Sequence, residues 1–353
     1  MSCSSRQTAD LDYAEVNLMV VDTVKVSDEL GFFQKPSKVE LIADSILIAS
    51  SIFNGISVYD IADGRQLNYL GLKGEYGSSL FYSSFMVRNY PNIEILDGFK
   101  GRLWKINLDK KADMESISLA IPEGYKVKAL DPVFLWRNGV YHIELVPDGV
   151  PVTHKDFYRL SGKFLGTFDL EGKFIDRYVE YPAKLTSQGN YIYPINYHRV
   201  GGNDTNLIMS FPSENSIKMY AKDFSQKPLT EVNFPDFLGL DFAPVLLEKE
   251  FNPRLTSVAE RVEPAIFDAI MVSGEKVFIS TVAKNNSDLG NLGLKTNLLI
   301  FDYEGKKWSA TYPLQDFFEL GKLAGIVGDT LYFFEASLVN SDEKKIYKVV
   351  VGD

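Results

Sequence analysis

Apolar and polar residues alternate along this chain in short runs, and clusters of Gly, Asn and Asp separate the runs. A period of two predicts strands with one face turned inward, and the clusters predict tight turns. The clearest units are Ile56-Ser-Val-Tyr-Asp-Ile-Ala-Asp-Gly-Arg-Gln-Leu, Gly166-Thr-Phe-Asp-Leu-Glu-Gly-Lys-Phe-Ile and Leu299-Ile-Phe-Asp-Tyr-Glu-Gly-Lys-Lys-Trp. In each, an alternating run ends in an aromatic residue plus Asp, a turn with Gly follows, and a second run begins, which predicts a β-hairpin. The Asp is placed to bond the turn's N–H groups, and Gly supplies a positive φ.

Looser copies stand at Leu103-Trp-Lys-Ile-Asn-Leu-Asp, Ile217-Lys-Met-Tyr-Ala-Lys-Asp and Lys345-Ile-Tyr-Lys-Val-Val-Val-Gly-Asp. With Tyr59, Trp104, Phe168, Tyr220, Phe301 and Tyr347 as markers, six units recur at a mean spacing of about 58 residues, near a propeller blade with loop insertions. Further strand pairs supply the first half of each blade: Val39 to Ser50, Phe134 to Leu145, Leu185 to Ile195, Ala269 to Ser280 and Ile326 to Ala336. The sixth unit stops at Asp353, whereas the N-terminal run Val16 to Val26 has no hairpin of its own. The expectation is an all-β, six-bladed β-propeller whose N-terminal strand completes the last blade and so leaves no open sheet edge. Helical periodicity is confined to Pro313–Leu323 and Ser257–Glu263, both read as connections, and residues 236–263 read as an insertion between blades four and five.

Composition narrows the function classes. Lys and Arg number 37 against 47 Asp and Glu, a net charge of −10, and no basic patch stands out, so nucleic acid is not an expected partner. One cysteine excludes an intramolecular disulfide or a cysteine zinc cage, and three histidines leave little for a metal site. No apolar run reaches the ~18 residues of a membrane span. The sole cysteine, Cys3, follows a small residue, Ser2, and precedes a polar stretch, so residues 1–12 read as a lipoprotein-like tether with Cys3 as lipidation site. Any membrane contact is then expected only through that lipid, with residues 13–353 forming a single propeller domain.

The polar start after Cys3, the Val-Asp-Thr-Val strand, the Tyr-Asp-Ile-Ala-Asp-Gly hairpin and the Leu70-Gly-Leu-Lys-Gly-Glu-Tyr-Gly turn together resemble the six-bladed, TolB-like β-propeller lipoproteins of gut-type Gram-negative bacteria. The resemblance spans nearly the whole chain, but its motifs are blade turns that many propellers share. Family members often carry Gly-Pro-Gly where this chain has Gly74-Glu-Tyr-Gly. The resemblance implies a periplasmic or surface lipoprotein anchored to the outer membrane, with no catalytic residues to carry over.

Most chemical motifs are absent. Gly71, Gly74 and Gly77 lack the spacing of a phosphate loop, and there is no nucleophile elbow, His-Glu-x-x-His pair or calcium loop. Asp302 lies three residues before its Gly, so its turn reads as structural rather than as a sialidase Asp-box. His142 follows Tyr141 in a predicted strand, where alternation buries one of the two, and it reads as a satisfied core histidine or, less simply, a ligand. His154 reads as solvated. Aromatic rings beside cations stand at Trp136-Arg137 and in Tyr191-Ile-Tyr-Pro-Ile-Asn-Tyr-His-Arg, so Trp136, Arg137, Tyr193, Tyr197, His198 and Arg199 are candidates for stacking on a sugar or aromatic ligand, or for packing adjacent blades.

Propellers commonly present loops at one end of the channel as rigid recognition platforms. The expected function is therefore a monomeric, non-catalytic, lipid-anchored binding or scaffold protein that recognises an envelope protein or a glycan, without metal or cofactor. The alternative is a propeller hydrolase or lyase acting on a glycan or phosphoester, with His142 or His198 taking part. A purely structural envelope component is the third reading.

Overall fold

The computed structural model describes residues 13–52, 54–71, 83–110, 114–186, 191–192, 198–203, 205–211, 214, 216–221, 223–236, 246–250, 266–284, 294–311, 315–337 and 343–352. Cys3 and the tether, the Gly74-Glu-Tyr-Gly turn, Tyr193, Tyr197, the helical candidate at 257–263 and most of the insertion expected at 236–263 lie outside these residues.

The chain is all-β, with its sheets in a propeller-like arrangement. It opens with β1 (Tyr13–Val26), followed by a four-stranded sheet of β2 (Lys38–Ile42), β3 (Ile46–Ser51), β4 (Gly55–Asp60) and β5 (Gln66–Gly71). A second such sheet holds β6 (Ser84–Asn89), β7 (Asn92–Asp97), β8 (Arg102–Asn107) and β9 (Met114–Ser118). The third has five strands, β10 (Tyr125–Val127), β11 (Phe134–Arg137), β12 (Val140–Pro147), β13 (Lys163–Phe168) and β14 (Phe174–Glu180), with α1 (Phe157–Ser161) before β13 and α2 (Ala183–Thr186) after β14. β15 (Tyr191–Ile192) comes next, and the fourth sheet is β16 (Arg199–Gly202), β17 (Leu207–Phe211), β18 (Ser216–Tyr220) and β19 (Thr230–Asn233). β20 (Leu246–Leu247) returns to pair with β15. The remaining strands are β21 (Ile266–Ser273), β22 (Lys276–Lys284), β23 (Leu294–Asp302), β24 (Lys307–Thr311), β25 (Gln315–Asp316), β26 (Lys322–Val327), β27 (Thr330–Glu335) and β28 (Lys344–Gly352), with α3 (Phe317–Leu320) after β25.

Six separate blade sheets were expected, yet the described residues give four sheets of four or five strands, one of nine and the two-stranded pair of β15 and β20. The cause is β1. Its first residues, Tyr13 to Val16, run parallel to Trp308–Thr311 of β24, and Asn17 to Val26 run antiparallel to β28, so one strand fuses the sheet of β21 to β24 with that of β26 to β28. A second difference falls at 185–195, where a blade's opening strand pair was expected. There α2 and the short β15 stand instead, and the fourth sheet opens at Arg199.

The hairpin chemistry is largely as expected. Asp60, Asp169 and Asp302 each accept hydrogen bonds from turn N–H groups through Oδ1, and Gly64 and Gly172 adopt φ of 74° and 80°. In the third turn Lys306, not Gly305, takes the left-handed conformation. Asn138 and Gly139, φ 49° and 81°, form the two-residue turn between β11 and β12 that the Asn-Gly dipeptide predicts.

Six buried apolar clusters join strand groups that are consecutive in the chain. Ile56 meets Phe85 and Ile95; Leu96 meets Tyr141 and Phe168; Phe164 meets Met209 and Phe211; Ile208 meets Leu299 and Trp308; Leu298 meets Phe333 and Val349; and Phe334 and Ile346 meet Leu47 and Tyr59, which closes the circuit. Each fully buried Phe or Ile contributes about 1.5–3 kcal/mol, so these cores hold the fold. Because neighbours cover both faces of β12, Tyr141 and His142 are both buried, whereas alternation alone had buried one. Opening strands of neighbouring sheets lie against one another, β6 against β2 and β11, β26 against β2 and β21, and β21 against β16. Two glycines mark how closely: a Cβ on Gly201 of β16 would stand 2.0 Å from the carbonyl oxygen of Ile270 in β21, and one on Gly325 of β26 would stand 2.3 Å from Leu41 Cβ in β2.

Candidate functional site

The strand ladder has a gap in the third sheet. β10 pairs with Leu145–Pro147 and β11 with Val140–Ile143, so Glu144 between them faces the excursion 128–133. That excursion leaves backbone and side-chain donors needing an acceptor, and Glu144, fully buried, provides it. Val133 N–H donates to its Oε2 at 3.0 Å, Lys128 Nζ lies 3.0 Å from Oε1, and Tyr181 OH donates to Oε1 at 3.2 Å. His198 Nε2 reaches Oε2 at 3.3 Å from just before β16.

The electrostatics follow from burial and partners. Burial pushes the Glu144 carboxyl upward, but Lys128, the His198 contact and the Val133 N–H together hold it well below the usual carboxylate range. Burial pulls the His198 imidazole below its ordinary value, more than Glu144 raises it, so the ring is neutral at pH 7. A neutral ring donating from Nε2 leaves Nδ1 as an acceptor, which has no hydrogen-bond partner among the described residues. Burial also drives the Tyr181 hydroxyl well above its ordinary value, with Glu144 adding to the effect, so it serves as a fixed donor.

Charges continue from this cluster across neighbouring sheets. Arg199 pairs with Asp131 at 3.4 Å and donates from Nε to the Asp268 carbonyl at 2.9 Å. Asp268 lies at the bulge of β21, between Phe267 and Ala269 in register with β22, and its carboxylate meets Lys322 at the start of β26. Bulges re-aim side chains, and this one turns Asp268 toward the cations at the openings of β16 and β26. At the start of β2, Lys38 pairs with Glu40 at 3.4 Å and donates to the Phe85 carbonyl of β6 at 2.6 Å. The openings of the inner strands thus carry an arc of alternating charge, Lys322, Asp268, Arg199 and Asp131, over the buried Glu144 and His198 and the half-buried Lys128. The side chains of Arg199 and Lys322 are 17% and 21% exposed, enough to meet a partner while held in place.

The described sequence candidates fall at two ends of the strands rather than in one cluster. His198 and Arg199 belong to the arc, with His198 buried beneath it and packed against Phe164, Tyr181 and Phe211. Trp136 and Arg137 lie where β11 ends: Arg137 donates to the Asn203 carbonyl just past β16, and the Trp136 indole stacks on Arg88 of β6, 4.4 Å away, rather than on Arg137. His142 is packed edge-on to Phe224, with both ring nitrogens lacking hydrogen-bond partners among the described residues, so it is a core histidine but not a satisfied one. Lys128, Asp131, Glu144, Asp268 and Lys322 were not candidates in the sequence. Glu144 carried a signal: an acidic residue inside Tyr-His-Ile-Glu-Leu-Val, apolar to both sides, is buried only with partners.

No protein-family model and no curated protein matches the chain. Among solved structures it is similar to a Bacteroides fragilis protein described as exported, with 15% identity over 97% of this chain and 98% of that one and a TM-score of 0.59. Raptor of Chaetomium thermophilum, of which the chain spans 29%, and a computationally designed protein, of which it spans 98%, each share 8% identity, with TM-scores of 0.45 and 0.41 over 97% and 92% of this chain. At 15% identity the likeness to the Bacteroides fragilis protein is one of fold, an all-β chain with propeller-like sheets.

Proposed function

We propose that this chain is a six-bladed propeller acting as a non-catalytic binding or scaffold protein of the cell envelope, with the charged arc as its recognition end. Six blades are supported by the circuit of six cores and by the nine-stranded sheet, which divides at the parallel β1–β24 contact into β21 to β24 and β26 to β28 with most of β1. Envelope location is supported by Ser2-Cys3, by the resemblance to TolB-like lipoproteins and by the exported Bacteroides fragilis protein of similar fold. Lipid on Cys3 then ties the propeller to the outer membrane.

The observation that carries recognition over catalysis is the state of the carboxylates. Asp131, Glu144 and Asp268 are each held by a cation, and Glu144 is kept ionised, whereas general acid chemistry requires a carboxyl that gives up a proton near the working pH. Fixed, alternating charges suit the mixed charge of a folded protein partner and set register and on-rate. The test is cross-linking of the intact protein in an envelope extract, followed by mass spectrometry, with wild type, Arg199→Ala and Lys322→Ala. A partner whose cross-links vanish in both variants supports the reading, and cross-links that persist unchanged remove the arc from it.

A further inference from the structure

Three shielded carboxylates among the described residues, Asp28, Glu94 and Glu144, are held by the same kinds of group. Asp28 takes the Tyr59 hydroxyl on Oδ1 and, on Oδ2, the Phe33 N–H and the Lys344 ammonium. Glu144 takes Tyr181, Lys128, Val133 N–H and His198 on its two oxygens. Glu94 of β7 takes the Tyr141 hydroxyl at 3.0 Å and the Arg88 guanidinium, both on Oε1. Its Oε2, shielded from water, has no hydrogen-bond partner among the described residues. The first two carboxylates are complete, and the third lacks one donor. Leaving a buried acceptor unsatisfied is costly, so this oxygen calls for a donor.

Glu94 lies in the wall of an open cleft of about 900 Å³ on the second sheet, lined also by Arg88, Asn92, Lys105, Asn107 and Glu115. Glu94, Lys105 and Glu115 are directly opposite one another across β7, β8 and β9, and Asn107 donates to Asn92 at 2.8 Å. The Arg88 guanidinium is fixed between Glu94 and the Trp136 indole. The cleft is at the end where β6 and β11 finish, away from the arc at the start of the inner strands.

The chemistry selects the ligand. Glu94 Oε2 needs a hydrogen-bond donor; Arg88, Lys105 and Lys110 beside it disfavour an amine, and Glu94 and Glu115 disfavour an anion. A neutral ligand with many hydroxyls satisfies both conditions. We propose that this cleft binds a neutral carbohydrate, with one hydroxyl donating to Glu94 Oε2. Reaching that shielded oxygen requires the carboxyl to turn about its terminal torsion, which is soft in Glu, with Tyr141 and Arg88 giving way at Oε1. This site is independent of the arc, and neither proposal requires the other.

The test is a screen of the intact protein on an array of neutral oligosaccharides, followed by calorimetric titration of the strongest binder against wild type, Glu94→Gln, Lys105→Ala and, as a control at the exposed start of β22, Lys276→Ala. Affinity is expected to fall at least tenfold in Glu94→Gln and several-fold in Lys105→Ala, and to stay within twofold in Lys276→Ala, with melting temperatures confirming folded protein. Lys105→Ala changes a partly exposed side chain and keeps the test decisive if Glu94→Gln unfolds. No binding by any neutral glycan, equal affinity in Glu94→Gln and Lys105→Ala, or binding of spermidine in place of sugar would overturn the proposal.

Discussion

Two buried ion pairs built from the same parts do different things in this fold. Asp28 and Lys344 join the segment after β1 to the start of β28, with side chains 11% and 7% exposed, and Lys344 also donates to the Phe33 carbonyl and sits over Phe32. The pair and its Tyr59 and Phe33 partners are largely shielded from water, so it acts as a clasp between the segment after the first strand and the start of the last. Glu144 is more deeply buried than Asp28, but its partner Lys128 is 22% exposed, and His198 beside it continues into Arg199 and the arc. The clasp closes a ring, while the Glu144 cluster presents charge at a surface. Buried pairs are weak sources of net stability, since desolvation offsets much of the attraction, and their value lies in placing segments.

Removing one member of each pair separates these roles. Glu144→Ala leaves Lys128, His198, Tyr181 and the Val133 N–H without their shared acceptor, and unfolding in urea should show a loss of about 3–5 kcal/mol. Lys344→Met leaves Asp28 with Tyr59 and the Phe33 N–H still donating, so the loss should be smaller, roughly 2–3 kcal/mol. Hydrogen exchange should rise along β1 and β28 in Lys344→Met and along 128–133 and 198–203 in Glu144→Ala. Equal losses, or the same protection map for both, would mean the pairs are interchangeable and the comparison fails.

The pH dependence sharpens the comparison, because only the Glu144 cluster contains a histidine. Burial holds His198 below its ordinary value, and burial likewise holds His142 at about 4, with Asp223 opposing and Arg137 assisting. As pH falls below the unfolded value near 6.5, the unfolded chain takes up protons that the folded chain refuses. Both histidines therefore contribute stability that is present above pH 6.5 and lost on acidification, at up to about 1.4 kcal/mol per pH unit each. Urea midpoints at pH 7.5, 6.5 and 5.5 should fall in order, and His142→Phe should reduce the slope. A slope unchanged in that variant would assign the acid sensitivity elsewhere.

How much of this could be read in the sequence depends on the range of the interactions. Hairpins were legible because their signals are local: Asp60, Asp169 and Asn138-Gly139 fix their turns through neighbours a few residues away. The partnership of the N-terminal run with the last strand followed from an orphan strand and an unfinished hairpin. The merger of β1 with β24 was not legible, because four residues of parallel pairing leave no pattern of their own. The charged arc was half legible. Arg199 and His198 stood out beside aromatic residues, but Asp268 acquires its role from a bulge and Asp131 from a backbone excursion, and neither is a property of side-chain order. Trp136 stood beside Arg137 in the sequence, whereas the cation over its ring is Arg88, which only the fold brings near.

The smallest expected effect is also the sharpest control. Lys25 and Glu343 form an ion pair at 2.9 Å between the same two segments that Asp28 and Lys344 join, but their side chains are 74% and 52% exposed. The Lys25 partner holds the Glu343 carboxyl below its ordinary value, yet water and salt screen the pair and two long side chains lose freedom to form it. Glu343→Ala should therefore leave the urea midpoint where wild type has it, in low and high salt alike, although it cuts a contact between the two ends of the chain. If it lowered the midpoint as far as Lys344→Met, charge alone would be fastening the ring. If it does not, what fastens the ring is the burial of Lys344 and Asp28, with Tyr59 and the Phe33 backbone arranged around them.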